Sequence, residues 1–127
     1  MRRKLVVGNW KMNGSREQVE SLLSELLSGL VETTDSVDVA VCPTALHLGL
    51  AGEILRDSAI ELGAQNVHSS PKGAYTGEVS TPMLAEFNVR YVLVGHSERR
   101  QYFAESDELV AEKFIAVQSA GLTPILC

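Results

Sequence analysis

The sequence has little of what marks several large classes of protein. It holds two cysteines in 127 residues. Cys42 and Cys127 each close an apolar, strand-like run, so buried reduced thiols and a cytoplasmic setting are expected rather than a disulfide framework. The three histidines, His47, His68 and His96, lack metal-ligand spacing and no CxxC is present, which argues against a zinc site. Walker A and GxGxxG patterns are also missing. The net charge is −5, so neither nucleic acid nor an anionic membrane gains a general attraction. Arg99 and Arg100 form too small a basic pair for nucleic acid and suit ion pairs around a turn. No apolar run could span a bilayer. After the MRRK start, Leu5, Val6 and Val7 give way to Gly8, too short a segment for export. With no linker, charge block or exact repeat, one domain is the ceiling. A small-molecule partner fits best.

What is present is a rhythm. Leu5–Gly8 reads as a buried strand followed by a polar turn. Ser15 and Gln18 make a capping box, behind which Val19, Leu22, Leu23, Leu26, Leu27 and Leu30 form an apolar helical stripe. Val37–Cys42 is a second strand, Pro43 a breaker, and Thr44 the expected cap of a helix to about Asp57. Ala59–Ala64 is a third strand, and residues 65–80, rich in Ser, Pro and Gly, form a long loop. Thr81 and Pro82 open a short helix through Phe87. Tyr91–Val94 are β-formers without alternation, as in a strand buried on both faces. Gly95 permits a close turn, and Ser97 is the expected cap of a short helix. Ser106 caps a further helix with Val110, Phe114 and Val117 on one face, Gly121 ends it, and Pro124–Cys127 begins a fifth strand. The alternation is the signature of parallel βαβ crossovers.

Chemistry-bearing residues follow the strands. Asn9 and Lys11 come after the first, Gln65 and Asn66 after the third, and His96 with Glu98 after the fourth. Carboxyl ends of parallel strands share one edge, where ligands bind, so these groups would converge. A helix starting just after His96 would disfavour the imidazolium and leave a neutral, hydrogen-bonding histidine. Taken alone, such a histidine is more often a satisfied structural one. Lys11 offers a cation for an anionic group with Asn9 as a neutral donor, although a single loop lysine is commonly just solvated. Glu98 could pair with Lys11, or it could be a first-turn helix glutamate favoured by the dipole. Paired with a lysine, it would be a poor base. Tyr75, at the tip of the long loop, is either a core aromatic or an anchor in a partner.

GNWKMNG from Gly8, GAQN from Gly63, GAYTGEVS from Gly73, YVLVGHSERR from Tyr91 and the final GLTPILC together resemble the triosephosphate isomerase family over the whole chain. The resemblance implies a parallel (β/α)8 barrel of which residues 1–127 form the amino-terminal portion, about the first four βα units plus the start of strand five. It implies interconversion of dihydroxyacetone phosphate and D-glyceraldehyde 3-phosphate through an enediolate, in glycolysis and gluconeogenesis, with no metal or organic cofactor. Asn9 and Lys11 would bind the triose phosphate substrate. His96 would be the electrophile that polarises the carbonyl and shuttles protons, with Glu98 in a supporting role. That family is the standard example of a histidine kept neutral by a helix N-terminus. Tyr75 and Thr76 would reach into the neighbouring subunit of a homodimer through the 65–80 loop.

The family's base, a glutamate after strand six, and its phosphate-binding turns after strands seven and eight lie on segments this sequence does not contain. The 127 residues are therefore expected to be part of a longer enzyme, inactive alone and completed by a carboxy-terminal half. An open parallel edge and an uncovered inner sheet face should follow. Two other readings remain: a noncatalytic half-barrel that assembles with copies of itself, and a complete small doubly wound phosphate-binding domain with helices on both sheet faces.

Overall fold

The computed structural model describes residues 2–30 and 35–127; Met1, the first residue of the MRRK start, lies outside the described residues. The elements in chain order are β1 (Lys4–Asn9), α1 (Arg16–Gly29), β2 (Val37–Cys42), a 3-10 turn (Ala45–His47), α2 (Leu48–Ile54), β3 (Ile60–Ala64), α3 (Thr81–Glu86), β4 (Val89–Val94), α4 (Ser97–Tyr102), α5 (Asp107–Ser119) and β5 (Thr123–Leu126). Every strand pair is parallel. The five strands lie in the order β1-β2-β3-β4-β5.

That order decides the architecture. Right-handed crossovers that always step to the next strand keep every helix on the same face. A doubly wound sheet needs a reversal of strand order, and there is none here, so that reading falls. The fold is the amino-terminal half of a (β/α)8 barrel. One core forms between sheet and helices, where Val39, Val41, Ile60, Leu62, Val92 and Val94 meet Val19 and Leu23 of α1, Leu48 and Ala51 of α2, Leu84 of α3 and Val117 of α5. The stripe expected on α1 is narrower than the sequence suggests. Val19 and Leu23 are fully buried and Leu26 and Leu27 pack against the core, but Leu22 is exposed.

Several expectations need correction. β1 is not a buried strand: it lies at the edge of the sheet, and Leu5 and Val6 are exposed. The inner face is not uncovered at its centre. Ala40, Cys42, Tyr91 and Leu93 alternate with the core-facing residues and are buried, so within the sheet the exposed large apolar side chains are Leu5 and Val6 of β1 and Leu126 of β5. The helix expected from Thr44 to Asp57 is shorter. Thr44 makes no side-chain cap and opens a 3-10 turn instead, and α2 ends at Ile54 before Asp57, which has φ 62. Strand β4 begins at Val89, ahead of Tyr91. Both cysteines are free, but only Cys42 is buried; Cys127 is exposed at the end of the edge strand. Burial and, secondarily, the nearby Cys127 push the Cys42 thiol up to about 12. No helix among the described residues is long and apolar enough to cross a membrane.

Candidate active site

The parallel register brings the carboxyl ends of β1, β3 and β4 to one rim, and three contacts join the residues there. The Lys11 ammonium lies 2.6 Å from Glu98 Oε1. The Glu98 backbone N–H donates to His96 Nδ1 at 3.1 Å. Glu98 Oε2 also lies 3.7 Å from His96 Nδ1. Lysine, glutamate and histidine therefore form one connected group, although Lys11 and Glu98 are 87 positions apart in sequence.

Each side chain is held by local structure. Gly95, at φ 71, turns the chain out of β4 where an added Cβ would lie 2.7 Å from Val110 Cγ1. The expected cap of α4 is corrected here: His96, not Ser97, is the N-cap, and its ring nitrogen accepts the Glu98 N–H in the way a serine oxygen would. A ring nitrogen that accepts a hydrogen bond carries no proton, so the imidazole proton sits on Nε2 and the ring offers a donor there. The Glu98 carboxyl is held below the usual range, first by the hydrogen bond from Lys11 and also by the Lys11 charge, which together outweigh the opposing effect of desolvation. Both readings open for Glu98 are observed: it pairs with Lys11, and it lies in the first turn of α4.

Lys11 has a left-handed backbone, φ 54. For a residue with a Cβ this conformation costs of order 1 kcal/mol, so neighbouring contacts must hold it. Asn9 Oδ1 accepts the Lys11 N–H at 2.9 Å. Gln65 Nε2 donates to the Lys11 carbonyl at 2.8 Å and to the Cys42 carbonyl at 2.9 Å. The Trp10 N–H also donates to the Cys42 carbonyl, at 3.1 Å, extending the β1–β2 ladder into the loop.

Beneath the rim lies a buried ionic group that the sequence did not disclose. Glu105 and Lys113 have side chains 2% and 5% exposed, with Lys113 Nζ 2.9 Å from Glu105 Oε2. Arg99 pairs with the same carboxylate oxygen. Lys113 also donates to Asn66 Oδ1 at 2.9 Å. The contacts close a circuit, because Glu98 adjoins Arg99 and Asn66 adjoins Gln65, which holds Lys11. Glu105 Oε1 is buried without a partner among the described residues. Arg100, as expected of a turn arginine, pairs with Asp107 at 2.6 Å and donates to the Gly95 carbonyl at 2.8 Å.

Tyr75 and Thr76 sit apart on the exposed loop. The Tyr75 ring stacks on His68 with centroids 4.0 Å apart. Its hydroxyl lies 3.4 Å from Ser70 Oγ. Tyr75 is thus an exposed aromatic braced within its own loop, not a core residue.

Comparison with known proteins identifies a family. The family model described as triosephosphate isomerase matches residues 4–127. The chain is 57% identical over 127 residues to the triosephosphate isomerase of Herminiimonas arsenicoxydans, covering 100% of this chain and 50% of that protein. It is 54% identical to that of Stenotrophomonas maltophilia, with the same coverage. Identity to that of Haemophilus ducreyi is 51%, over 99% of this chain and 49% of the relative. The chain therefore spans about half the length of the curated relatives it matches.

Proposed function

The chain belongs to the triosephosphate isomerase family, and from that premise we propose that it supplies the electrophilic and cationic half of a site interconverting dihydroxyacetone phosphate and D-glyceraldehyde 3-phosphate. The observation that carries the proposal is the joined Lys11–Glu98–His96 group. Lys11 offers its ammonium to the anionic substrate, with the Asn9 amide beside it. His96 offers Nε2–H to the carbonyl oxygen. As a base removes the proton from the adjacent carbon, negative charge grows on that oxygen, and a fixed donor stabilises the enediolate more than the ketone. The ring then passes its proton between the two oxygens.

Glu98 is not the base. A carboxylate held by an ammonium and depressed below its ordinary range has lost the basicity that proton abstraction from carbon needs. Its role is to orient Lys11. The base comes from a carboxylate of the other half of the barrel, and the 127 residues form the amino-terminal portion of a single barrel domain that is inactive alone. We place the enzyme in the cytoplasm, in keeping with two free thiols. The exposed 65–80 loop, with Tyr75 and Thr76 at its tip, is the proposed contact of a homodimer.

The test is an isomerase assay of this chain alone and together with the carboxy-terminal half of a relative. Turnover should need both parts, and His96→Gln should lower kcat by roughly a hundredfold or more while changing KM little. A folded two-part complex without activity, or a His96→Gln complex at parental kcat, overturns the proposal. A noncatalytic, self-assembling reading draws on the open backbone edges of β1 and β5. Sustained isomerisation in the two-part assay rules it out.

A further inference from the structure

We propose that Gln65 is a positioning residue, whose carboxamide clamps the left-handed backbone of Lys11 and so aims the lysine ammonium at Glu98. The proposal rests on the reading of Lys11 as the site's cation and adds a residue that acts through it.

Both main-chain polar groups of Lys11 are held by carboxamides: the N–H by Asn9 and the C=O by Gln65. The two Gln65 bonds differ from the Asn9 bond in what they span. Asn9 is a near neighbour of Lys11 on the same strand end, and its contact closes a turn that could drift as a unit. Gln65 follows β3 and reaches the loop after β1 and the end of β2 at once. Its two N–H groups thereby fix the lysine's peptide to a sheet whose register is set independently by β2–β3 pairing.

Residue chemistry narrows the choice. The task requires two donors on one nitrogen, at the reach of two methylenes, facing two carbonyl oxygens. Glutamate would set acceptors against acceptors, and asparagine would fall short by one methylene. Methionine has the length but no donor. Without the clamp, the Lys11 backbone is free to leave φ 54 for the commoner negative range, and the side chain's starting direction changes with it.

The readout is the Glu98 carboxyl, which faces Lys11 and His96. Its titration is followed by 13C NMR in the chain without substrate, for the parent, Gln65→Met and Lys11→Met. If Gln65 aims the ammonium, Gln65→Met raises the Glu98 pKa toward its value in Lys11→Met. In the two-part enzyme the same substitution should lower kcat/KM for triose phosphate at least about tenfold. A folded Gln65→Met chain whose Glu98 titrates as in the parent refutes the proposal. Should that variant fail to fold, the parent decides. Its Gln65 side-chain amide protons should exchange with solvent more slowly than those of exposed Gln101, and equal rates refute the clamp. The titration and exchange measurements need no turnover, so a failure of the isomerase reading leaves them standing.

Discussion

Replacing Lys113 by methionine tests whether the buried ionic group beneath the rim holds the fold together. The substitution keeps most of the side-chain volume and removes the ammonium from a position 4% exposed. It leaves the Glu105 carboxylate, 2% exposed, with Arg99 as its remaining cation, and deprives Asn66 Oδ1 of its donor. Breaking a buried pair from one side costs about 3–5 kcal/mol, because the other charge stays desolvated. Set against a typical total of about 5–15 kcal/mol, that is a large share. At about 4 °C per kcal/mol for a chain of this size, Tm should fall by roughly 12–20 °C. The loss should depend on pH with a definite sign. Burial pushes the Glu105 carboxyl up, but hydrogen bonds and charge from Lys113 and Arg99 outweigh it, so its folded pKa lies below the ordinary 4.5. The stabilisation is therefore complete above that value and is lost as pH falls through the folded pKa. Urea unfolding followed by circular dichroism at neutral and acid pH should show parent and variant converging in acid. Replacing Glu105 by methionine as well should recover much of the loss, since a buried pair exchanged for apolar groups is often near neutral. A Lys113→Met chain within about 1 kcal/mol of the parent at neutral pH would refute the assignment, as would a deficit unchanged in acid.

Two smaller perturbations probe the sheet and a helix end. In Gly63→Ala the new Cβ would overlap Cys42 Sγ, so a loss of about 1–3 kcal/mol is expected from overpacking. Adding Cys42→Ala should restore part of it, and strictly additive effects in the double-mutant cycle would count against that contact. Ser106 Oγ accepts the Leu109 N–H at 3.2 Å as the cap of α5, and Ser106→Ala should lower the unfolding free energy by about 1 kcal/mol with an unchanged denaturant m-value.

How far the sequence discloses this molecule depends on whether a feature is local. Strands ending in Ala64 and Val94 are legible because buried parallel strands are continuous apolar runs, the exposed β1 is legible from its short Leu5–Val7 run, and the polar residues just beyond all three fall on one rim by topology alone. That was enough to single out Asn9, Lys11, Glu98 and His96. At the start of α4 the sequence points to Ser97, because serine is the commoner cap, whereas the imidazole nitrogen of His96, one position earlier, does the capping. The exposure of β1 and Cys127 is not legible from their local sequence, since which strand lies at an edge is a property of the whole sheet. Lys113 lies between Glu112 and Phe114 on a helix whose apolar face was read from Val110, Phe114 and Val117. Nothing local marks it as buried; only Glu105 and Asn66, from other segments, make that burial tolerable.

The same distinction explains why the rim can be geometrically defined by these residues. Lys11 is fixed from below through Gln65 to β2 and β3, and from the side through Glu98 to the turn after β4. Arg99, Glu105, Lys113 and Asn66 connect those two supports through α5, in surroundings where water competes little for the charges. The exposed Lys11–Glu98 pair, by contrast, sits where solvent screens it and would contribute little as an isolated bridge. Its persistence must come from the direction imposed on each partner rather than from their mutual attraction. On that reasoning, added salt should weaken the Lys11–Glu98 attraction while leaving the backbone at Lys11 in place, because the bonds that hold it are made between amides.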